Sequence, residues 1–179
     1  MKSVVVTGVS TGIGWGTAKV LTGQGVRVFG SVRKTADADR LRQEFGDRYV
    51  PLIFDVTDEA AVRAAAEQVR GTLAGEPLMG LVNNAGVAVA GPLLHLPVAD
   101  FRQQIEVNLT GVVIATQAFA PLLTAAGKGA SGRIVNISSV GVKFGGSPRT
   151  LHYSAAKAAL EGVTLGLAKA GAAHHILVN

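Results

Sequence analysis

A tyrosine and a lysine, Tyr153 and Lys157, lie four residues apart in a segment of helical character. Residues at this spacing share one face of an α-helix. A phenol has an ordinary pKa near ~10, which is too high for efficient proton transfer at neutral pH. A neighbouring ammonium group favours the phenolate form of a phenol. The pair therefore predicts a proton-transfer site, and the alternative is a tyrosine and a lysine on an exposed helix face.

A glycine-rich turn near the N-terminus is the second feature that could do chemistry. It reads Thr7-Gly8-Val9-Ser10-Thr11-Gly12-Ile13-Gly14 and lies between a strand-like and a helix-like segment. Gly8 permits a tight turn, Gly12 lets the backbone approach a pyrophosphate, and Gly14 allows close packing of the helix on the sheet. Free N–H groups at the start of the helix would meet the phosphates. The turn predicts a dinucleotide site, and a purely structural glycine turn is the alternative. The contacts expected from it are Gly8, Ser10, Thr11, Gly12, Ile13 and Gly14.

Short apolar runs rich in Val, Ile and Phe alternate with longer stretches of helical character. The predicted strands are residues 3–7, 26–31, 49–54, 78–83, 132–138 and 176–179. The predicted helices are residues 13–24, 37–45, 58–73, 97–126 (with a break near Asn108) and 151–171.

This alternation, with continuous apolar strands, predicts an α/β fold whose parallel sheet is covered by helices on both faces. Right-handed crossovers then give a doubly wound Rossmann sheet with strand order 3-2-1-4-5-6. No linker or internal repeat divides residues 1–179, so a single domain is expected. The chain ends just after the sixth strand begins.

The composition excludes several other classes of site. There are no cysteines, which removes disulfides, thiolate metal sites and cysteine nucleophiles. The net charge is +5, but Lys and Arg are dispersed and do not alternate with aromatic residues, so no nucleic-acid partner is expected. His174 and His175 lack a third ligand at useful spacing, and no metal site is expected. No uninterrupted apolar run reaches ~18 residues, which predicts a cytoplasmic chain without a membrane partner.

Four further motifs follow the glycine-rich turn. They are Asn83-Asn84-Ala85-Gly86 after the fourth strand, Asn108 in the next helix, Asn136-Ile137-Ser138-Ser139 after the fifth strand, and Tyr153-Ser154-Ala155-Ala156-Lys157. With these motifs in this order, the chain resembles the short-chain dehydrogenase/reductase family over essentially its whole length. The resemblance is to the branch with a Gly-x-x-x-Gly-x-Gly turn. It implies a Rossmann fold, a nicotinamide dinucleotide and oxidoreductase chemistry.

The resemblance implies roles for three side chains around the proton-transfer pair. Tyr153 would pass the proton to or from the substrate oxygen. Lys157 would tune the tyrosine and hold the nicotinamide ribose. Asn108 would kink its helix and hold a water molecule that links Lys157 to solvent. His152, next to the tyrosine, is expected to line the site.

The resemblance also implies that Ser139 hydrogen-bonds the substrate oxygen and positions it. Ser138 is adjacent, and either hydroxyl could instead cap the turn after the strand. Ser139 and Tyr153 are fourteen positions apart, one more than is usual in the family. A one-residue insertion within residues 145–149 would absorb the difference.

Cofactor choice depends on the segment after the second strand. An acidic side chain there selects NAD, whereas a basic one accommodates the 2′-phosphate of NADP. Ser31 stands where the acid is expected and Arg33 follows two positions later, which favours NADP(H), with NAD(H) as the alternative. The resemblance implies that Asp55 bonds the adenine amino group; its other reading, a cap for the next helix, is better filled by Thr57. The remaining implied cofactor contacts are Val56, Asn84, Ala85, Gly86, Tyr153 and Lys157.

These observations predict an enzyme that interconverts a secondary alcohol and a ketone with NAD(P)(H). The expected partners are a small-molecule substrate and further copies of the chain, as a homodimer or homotetramer through the long helices 101–123 and 155–167. One alternative is a catalytically silent NADP(H)-binding sensor or scaffold. Another is an inactive fragment, because the family's last strand and substrate lid would lie beyond Asn179.

Overall fold

The computed structural model describes residues 1–124 and 132–179. Six strands form one parallel sheet in the order β3-β2-β1-β4-β5-β6, as predicted. The strands are β1 Ser3–Val6, β2 Arg27–Val32, β3 Tyr49–Ile53, β4 Gly80–Asn83, β5 Gly132–Asn136 and β6 Ile176–Val178. The helices are α1 Gly12–Gly23, α2 Thr35–Phe45, α3 Glu59–Leu73, α4 Val98–Ile105, α5 Gly111–Thr124, α6 Gly141–Phe144 and α7 Leu151–Ala172.

Helices pack on both faces of the sheet because successive side chains of a strand point to opposite faces. On β1, Val5 joins one apolar cluster, while Val4 and Val6 join another. The first cluster packs the sheet against α3 and α5, where Val62 and Phe119 are fully buried. The second packs it against α1 and α2. The sheet is thus the middle layer of three, as continuous apolar strands require.

The regular helix is interrupted at the position that the sequence predicts. Between α4 and α5 lies a π-helical turn, Glu106–Thr110, with Asn108 in its middle. A π turn inserts one residue per turn and is frequent at functional sites. The predicted end of this helix at residue 126 lies outside the described residues.

Two local expectations need correction. The cap of α3 is Asp58, whose carboxylate accepts a hydrogen bond from Ala61 N (3.0 Å), and not Thr57. The short helix α6 between β5 and α7 was not anticipated, since its four residues carry too little periodicity to be recognised.

The helical run Val98–Leu123 is long and apolar enough, by length and composition alone, to cross a membrane. The core helix of a soluble protein passes the same test. Within this run α5 packs on β4 and α3, and Ala115 and Phe119 have no exposed surface. The apolar composition of α5 is accounted for by this packing.

Two positions of the glycine-rich turn require glycine because neighbouring atoms come too close for a side chain. A Cβ added at Gly14 would lie 2.3 Å from Gly8 O and 2.4 Å from the Asn84 amide nitrogen. A Cβ added at Gly8, which has φ +70°, would lie 2.8 Å from Ala85 Cα. The turn, the start of α1 and the end of β4 are therefore packed at backbone contact.

Gly14→Ala should lower the free energy of unfolding by about 1–3 kcal/mol, because the new methyl group meets backbone that cannot move aside. Gly16→Ala is the matched control in the same helix, since nothing lies within 4 Å of its added Cβ. Higher helix propensity should make that variant neutral or more stable by up to about 1 kcal/mol. Urea unfolding measures both, and equal effects would contradict the packing argument.

Candidate active site

A cleft of about 630 Å³ lies at the carboxyl ends of the strands. The sheet order reverses between β1 and β4, and ligands of open α/β sheets bind at such a switch point. The sequence-predicted residues that line the cleft are Gly8, Ser10, Thr11, Ile13, Ser31, Arg33, Asp55, Val56, Asn84, Ala85, Gly86, Tyr153 and Lys157. Gly12, Gly14, Asn108 and Ser139 are not among the lining residues and lie in the segments that shape it.

The first turn of α1 is suited to an anion. Its N-cap residue, Thr11, makes no side-chain capping hydrogen bond, and the turn contains no acidic residue. Gly12 has φ +64° and nothing within 4 Å of the position of a Cβ, so a ligand can approach the backbone there. Free N–H groups and the helix dipole both favour a phosphate at this place. The cradle therefore fits the pyrophosphate of a dinucleotide.

A buried serine at the end of β2 supports the backbone of the glycine-rich turn. Ser31 is only 2% exposed, and its Oγ accepts a hydrogen bond from Gly8 N (2.9 Å). This support for the turn was not anticipated from the sequence. Arg40 adds a second support from α2, since its guanidinium donates to Ser10 O (2.8 Å).

Beyond Ser31, one guanidinium stands at the edge of the cleft. Arg33 is exposed, and its Nη1 lies 3.9 Å from Asp55 Oδ2. The other carboxylate oxygen of Asp55 accepts hydrogen bonds from Thr57 N (3.0 Å) and Thr57 Oγ1 (2.8 Å). Asp55 thus shapes the turn before α3 and also faces Arg33 across the cleft edge.

Tyr153 and Lys157 both line the cleft from α7, and Lys157 is 3% exposed. The pair therefore does not lie on an exposed helix face. Lys157 Nζ lies 5.9 Å from the centroid of the Tyr153 ring and donates a hydrogen bond to Ile137 O (2.8 Å). Burial lowers the pKa of Lys157 from 10.5 to about 8, because the ammonium form loses hydration.

The two adjacent serines after β5 differ in their hydrogen bonds. Ser138 Oγ donates to Glu161 Oε1 on α7 (2.8 Å). Ser139 Oγ accepts from Gly141 N (3.2 Å) at the start of α6, and within residues 1–124 and 132–179 its own hydrogen has no recorded acceptor. The hydroxyl of Ser138 is therefore committed to the protein, whereas that of Ser139 can still donate.

Asn108 is completely buried in the π turn. Its Oδ1 accepts from Val87 N (3.2 Å), and its Nδ2 donates to Val87 O (2.8 Å) and Gln104 O (2.9 Å). The amide thus fastens the segment that follows β4. A Cβ at Gly86 would lie 2.7 Å from Asn108 Oδ1, so this position has room only for glycine. The water-mediated link to Lys157 stays a prediction.

The expectation that His152 lines the site is wrong. Its side chain is 1% exposed, and its Nε2 lies 2.6 Å from Val89 O, a partner 63 residues away. Gln104 is also fully buried and contacts the same residue, since its Oε1 accepts a hydrogen bond from Val89 N (3.3 Å). The only sequence signal for Gln104 is its position four residues before Asn108, on the same helix face.

The sequence of this chain is similar to those of known oxidoreductases. The chain matches the family model of the short chain dehydrogenases over residues 2–179. It is 40% identical over 165 residues to an NADPH-dependent 3-dehydrocapnine reductase of Ornithobacterium rhinotracheale. The aligned residues make up 91% of this chain and 58% of that reductase. It is 33% identical over 178 residues to the 3-oxoacyl-[acyl-carrier-protein] reductase FabG of Haemophilus influenzae, covering 99% of this chain and 71% of that protein.

Among solved structures, the chain superposes on a 3-ketoacyl-(acyl-carrier-protein) reductase from Brucella melitensis complexed with NADH. The TM-score is 0.92 at 31% identity, over 99% of this chain and 72% of that one. The chain spans 58% and 49% of the first two curated relatives it matches. The family match covers nearly every residue, and by this match, together with its fold, the chain belongs to the short-chain dehydrogenase family.

Proposed function

We propose that the protein binds NADP(H) in the cleft and interconverts a secondary alcohol and a ketone. The observation that carries the proposal is the position of Tyr153 beside the buried ammonium of Lys157, in the cleft that begins at the glycine-rich turn. A phosphate cradle and a proton-transfer group at one cleft are the two parts that a nicotinamide-dependent oxidoreductase needs.

The dinucleotide would lie along the carboxyl edge of the sheet. Its pyrophosphate fits the open backbone at Gly12 and the first turn of α1. Its adenosine half would lie between Ser10, Arg33 and Asp55, and its nicotinamide half would extend past Asn84 and Gly86 toward the tyrosine. When bound, the nicotinamide supplies or accepts the hydride at the substrate carbon.

Side chains of the protein would transfer the proton and stabilise the charges that result. In reduction, the Tyr153 hydroxyl gives its proton to the carbonyl oxygen, which becomes the alcohol; in oxidation, the tyrosine oxygen takes that proton back. A positive charge at Lys157 would stabilise the phenolate that is left after reduction. Ser139 would donate a hydrogen bond to the substrate oxygen, since Ser138 already donates to Glu161. An oriented donor of this kind stabilises the charge that develops on oxygen.

Two observations support NADP(H) over NAD(H). No carboxylate follows β2 directly, and the first charged side chain there is the exposed guanidinium of Arg33. Guanidinium is suited to a phosphate monoester. The similar reductase of Ornithobacterium rhinotracheale is named as NADPH-dependent, whereas the similar structure from Brucella melitensis holds NADH.

We further propose that copies of the chain associate through α7, as a homodimer or homotetramer. Its outward face is partly apolar, and Leu165 is 66% exposed on it. The other exposed residues of that helix include Ala155, Ala158, Ala159, Gly162 and Gly166. Small side chains allow two helices to approach closely, so the face suits a helix–helix contact.

Tyr153→Phe should reduce turnover at least about 100-fold, because the proton donor is removed while the ring is kept. The affinity for NADPH, measured by calorimetry, should stay within about twofold, since the hydroxyl is not a phosphate contact. Unchanged turnover would refute the role of the tyrosine. If the unmodified protein binds NADPH but turns over none of a broad panel of ketones and alcohols, it is a cofactor-binding sensor or scaffold.

The serine pair supplies a matched control for this experiment. Ser139→Ala should lower turnover strongly. Ser138 lines the cleft, but its hydroxyl already donates to Glu161, so Ser138→Ala should lower turnover little. The reverse order would place the substrate contact at Ser138.

Arg33→Gln should weaken NADPH binding at least about tenfold, because a charge-assisted hydrogen bond to the 2′-phosphate is lost. NADH binding should hardly change. Arg63→Gln, on α3 and paired with Glu59, removes the same charge away from the cleft and is the control. Equal loss of affinity for NADPH and NADH would contradict the assignment of Arg33.

The depressed pKa of Lys157 predicts a pH dependence of stability. The unfolded chain holds the Lys157 proton up to pH ~10, whereas the folded chain loses it near pH 8. The free-energy cost of burying the ammonium is therefore greatest below pH 8 and falls as the pH rises. Relative to Lys157→Met, the protein should gain about 2 kcal/mol in free energy of unfolding between pH 7 and pH 10. Denaturant unfolding of both at each pH measures this, and parallel curves would contradict it.

A further inference from the structure

The segment after β4 forms one wall of the cleft, and its backbone is fastened at alternate residues. Gly86, Val87 and Ala88 line the cleft. Val87 is held at both backbone atoms by Asn108, and Gly91 N donates to Arg149 O (2.9 Å). Val87 and Gly91 are half-buried, while Ala88 is exposed toward the opening.

Val89, between these two anchors, is held by two buried side chains from different helices. Its N–H donates to Gln104 Oε1 (3.3 Å) on α4, and its carbonyl lies 2.6 Å from His152 Nε2 on α7. Both side chains have essentially no exposed surface. The two backbone groups of one residue therefore connect α4 to α7.

The contact at Val89 decides which ring nitrogen of His152 must carry a hydrogen. A carbonyl oxygen can only accept, so His152 Nε2 carries the hydrogen and donates it. In a neutral ring Nδ1 is then an acceptor, and within the described part of the chain it is buried without a partner. A leucine at this position would bury no unpaired nitrogen, so packing alone does not account for histidine here.

Each clamping residue is joined to the proposed catalytic groups by its helix. His152 directly precedes Tyr153, and Gln104 O accepts a hydrogen bond from the Asn108 amide. A shift of Val89 would move Ala88 in the cleft relative to the tyrosine. The clamp therefore sets the distance between the cleft wall and the proton donor.

We propose that His152 and Gln104 are positioning residues that hold the substrate-facing wall of the cleft through the carbonyl and the amide of Val89, without touching the substrate themselves. The kinetic consequence rests on the proposed alcohol–ketone function, whereas the clamp itself does not.

The clamp is tested first without activity, by NMR and amide hydrogen exchange on the 179-residue chain. His152 should give the spectrum of a ring that carries a hydrogen on Nε2, and the Val89 amide should exchange slowly. His152→Leu removes the hydrogen bond at the Val89 carbonyl and leaves Gln104 as the acceptor of the Val89 N–H. Because the segment then has one anchor fewer and opens more often, the exchange rate should rise at least about tenfold, and His152→Gln should restore protection. A ring protonated at Nδ1 and not at Nε2, or equal exchange in the wild type and His152→Leu, would overturn the proposal.

The kinetic arm uses cyclohexanone and 1-decalone as probe ketones with NADPH. His152→Leu should raise KM for the ketone about tenfold, by loss of the buried hydrogen bond, with a smaller effect on kcat and an unchanged dissociation constant for NADPH. His152→Gln should return KM toward the original value, and His174→Leu, at an exposed position, should leave it unchanged. A fall in kcat alone, or weaker NADPH binding, would overturn the positioning role.

Gln104→Leu provides a second variant should His152→Leu fail to fold. It removes the other half of the clamp and should expose the Val89 amide and raise KM in the same way. If the wild type reduces neither ketone although NADPH binds, the proposed function fails for these substrates. The clamp is still decided by the ring tautomer and the exchange of Val89, so the two failures are distinguishable.

Discussion

The cleft depends on the way β1 and β4 are tied together where the sheet order reverses. Thr7 Oγ1, at the end of β1, accepts hydrogen bonds from Asn84 N (3.0 Å) and Ala85 N (2.9 Å). The Asn84 amide donates in return to Thr7 O and Gly8 O, each at 2.9 Å. These four bonds satisfy backbone groups that the diverging chains would otherwise leave unpaired. They also set the separation of the glycine-rich turn from the segment after β4, and the close contacts of Gly8 and Gly14 follow from it.

A second set of hydrogen bonds links β4 and β5 to α7. Asn83 Nδ2 on β4 donates to Asn136 Oδ1 on β5 (2.9 Å), and Asn136 Nδ2 donates to Thr164 Oγ1 on α7 (2.9 Å). Lys157 and Glu161 bond the two residues that follow, Ile137 O and Ser138 Oγ. Positions 157, 161 and 164 lie on one helix face, so the helix is held in rotation as well as in position. These directional hydrogen bonds favour one arrangement of α7, although Asn83 Oδ1 is buried without a partner within the described residues. A fixed arrangement is what the proposed proton donor on that helix needs.

Fold and site differ in how far the sequence predicts them. The strand order, the glycine-rich turn and the cleft position of Tyr153 and Lys157 follow from local patterns, because periodicity and motif spacing are written in neighbouring residues. The cap at Asp58, the bond from Gly8 N to Ser31 and the burial of His152 were not predicted. Each depends on where one side chain meets backbone, and His152 meets Val89 across 63 residues of chain. Such a contact leaves no periodic trace in the sequence.

The two halves of the cleft are built by different means, and this has a consequence for how the site can change. The end that we propose for the phosphates is made of backbone: glycines at contact distance and the free N–H groups of a helix start, which few substitutions can preserve. The other wall is a segment without regular secondary structure that is held by the side chains of Asn108, Gln104 and His152. By the proposal above, exchanging one such side chain would move the wall without disturbing the sheet. A scaffold built in this way could keep the proposed cofactor end fixed while the proposed substrate end is reshaped. That would separate what members of a fold share from what distinguishes them.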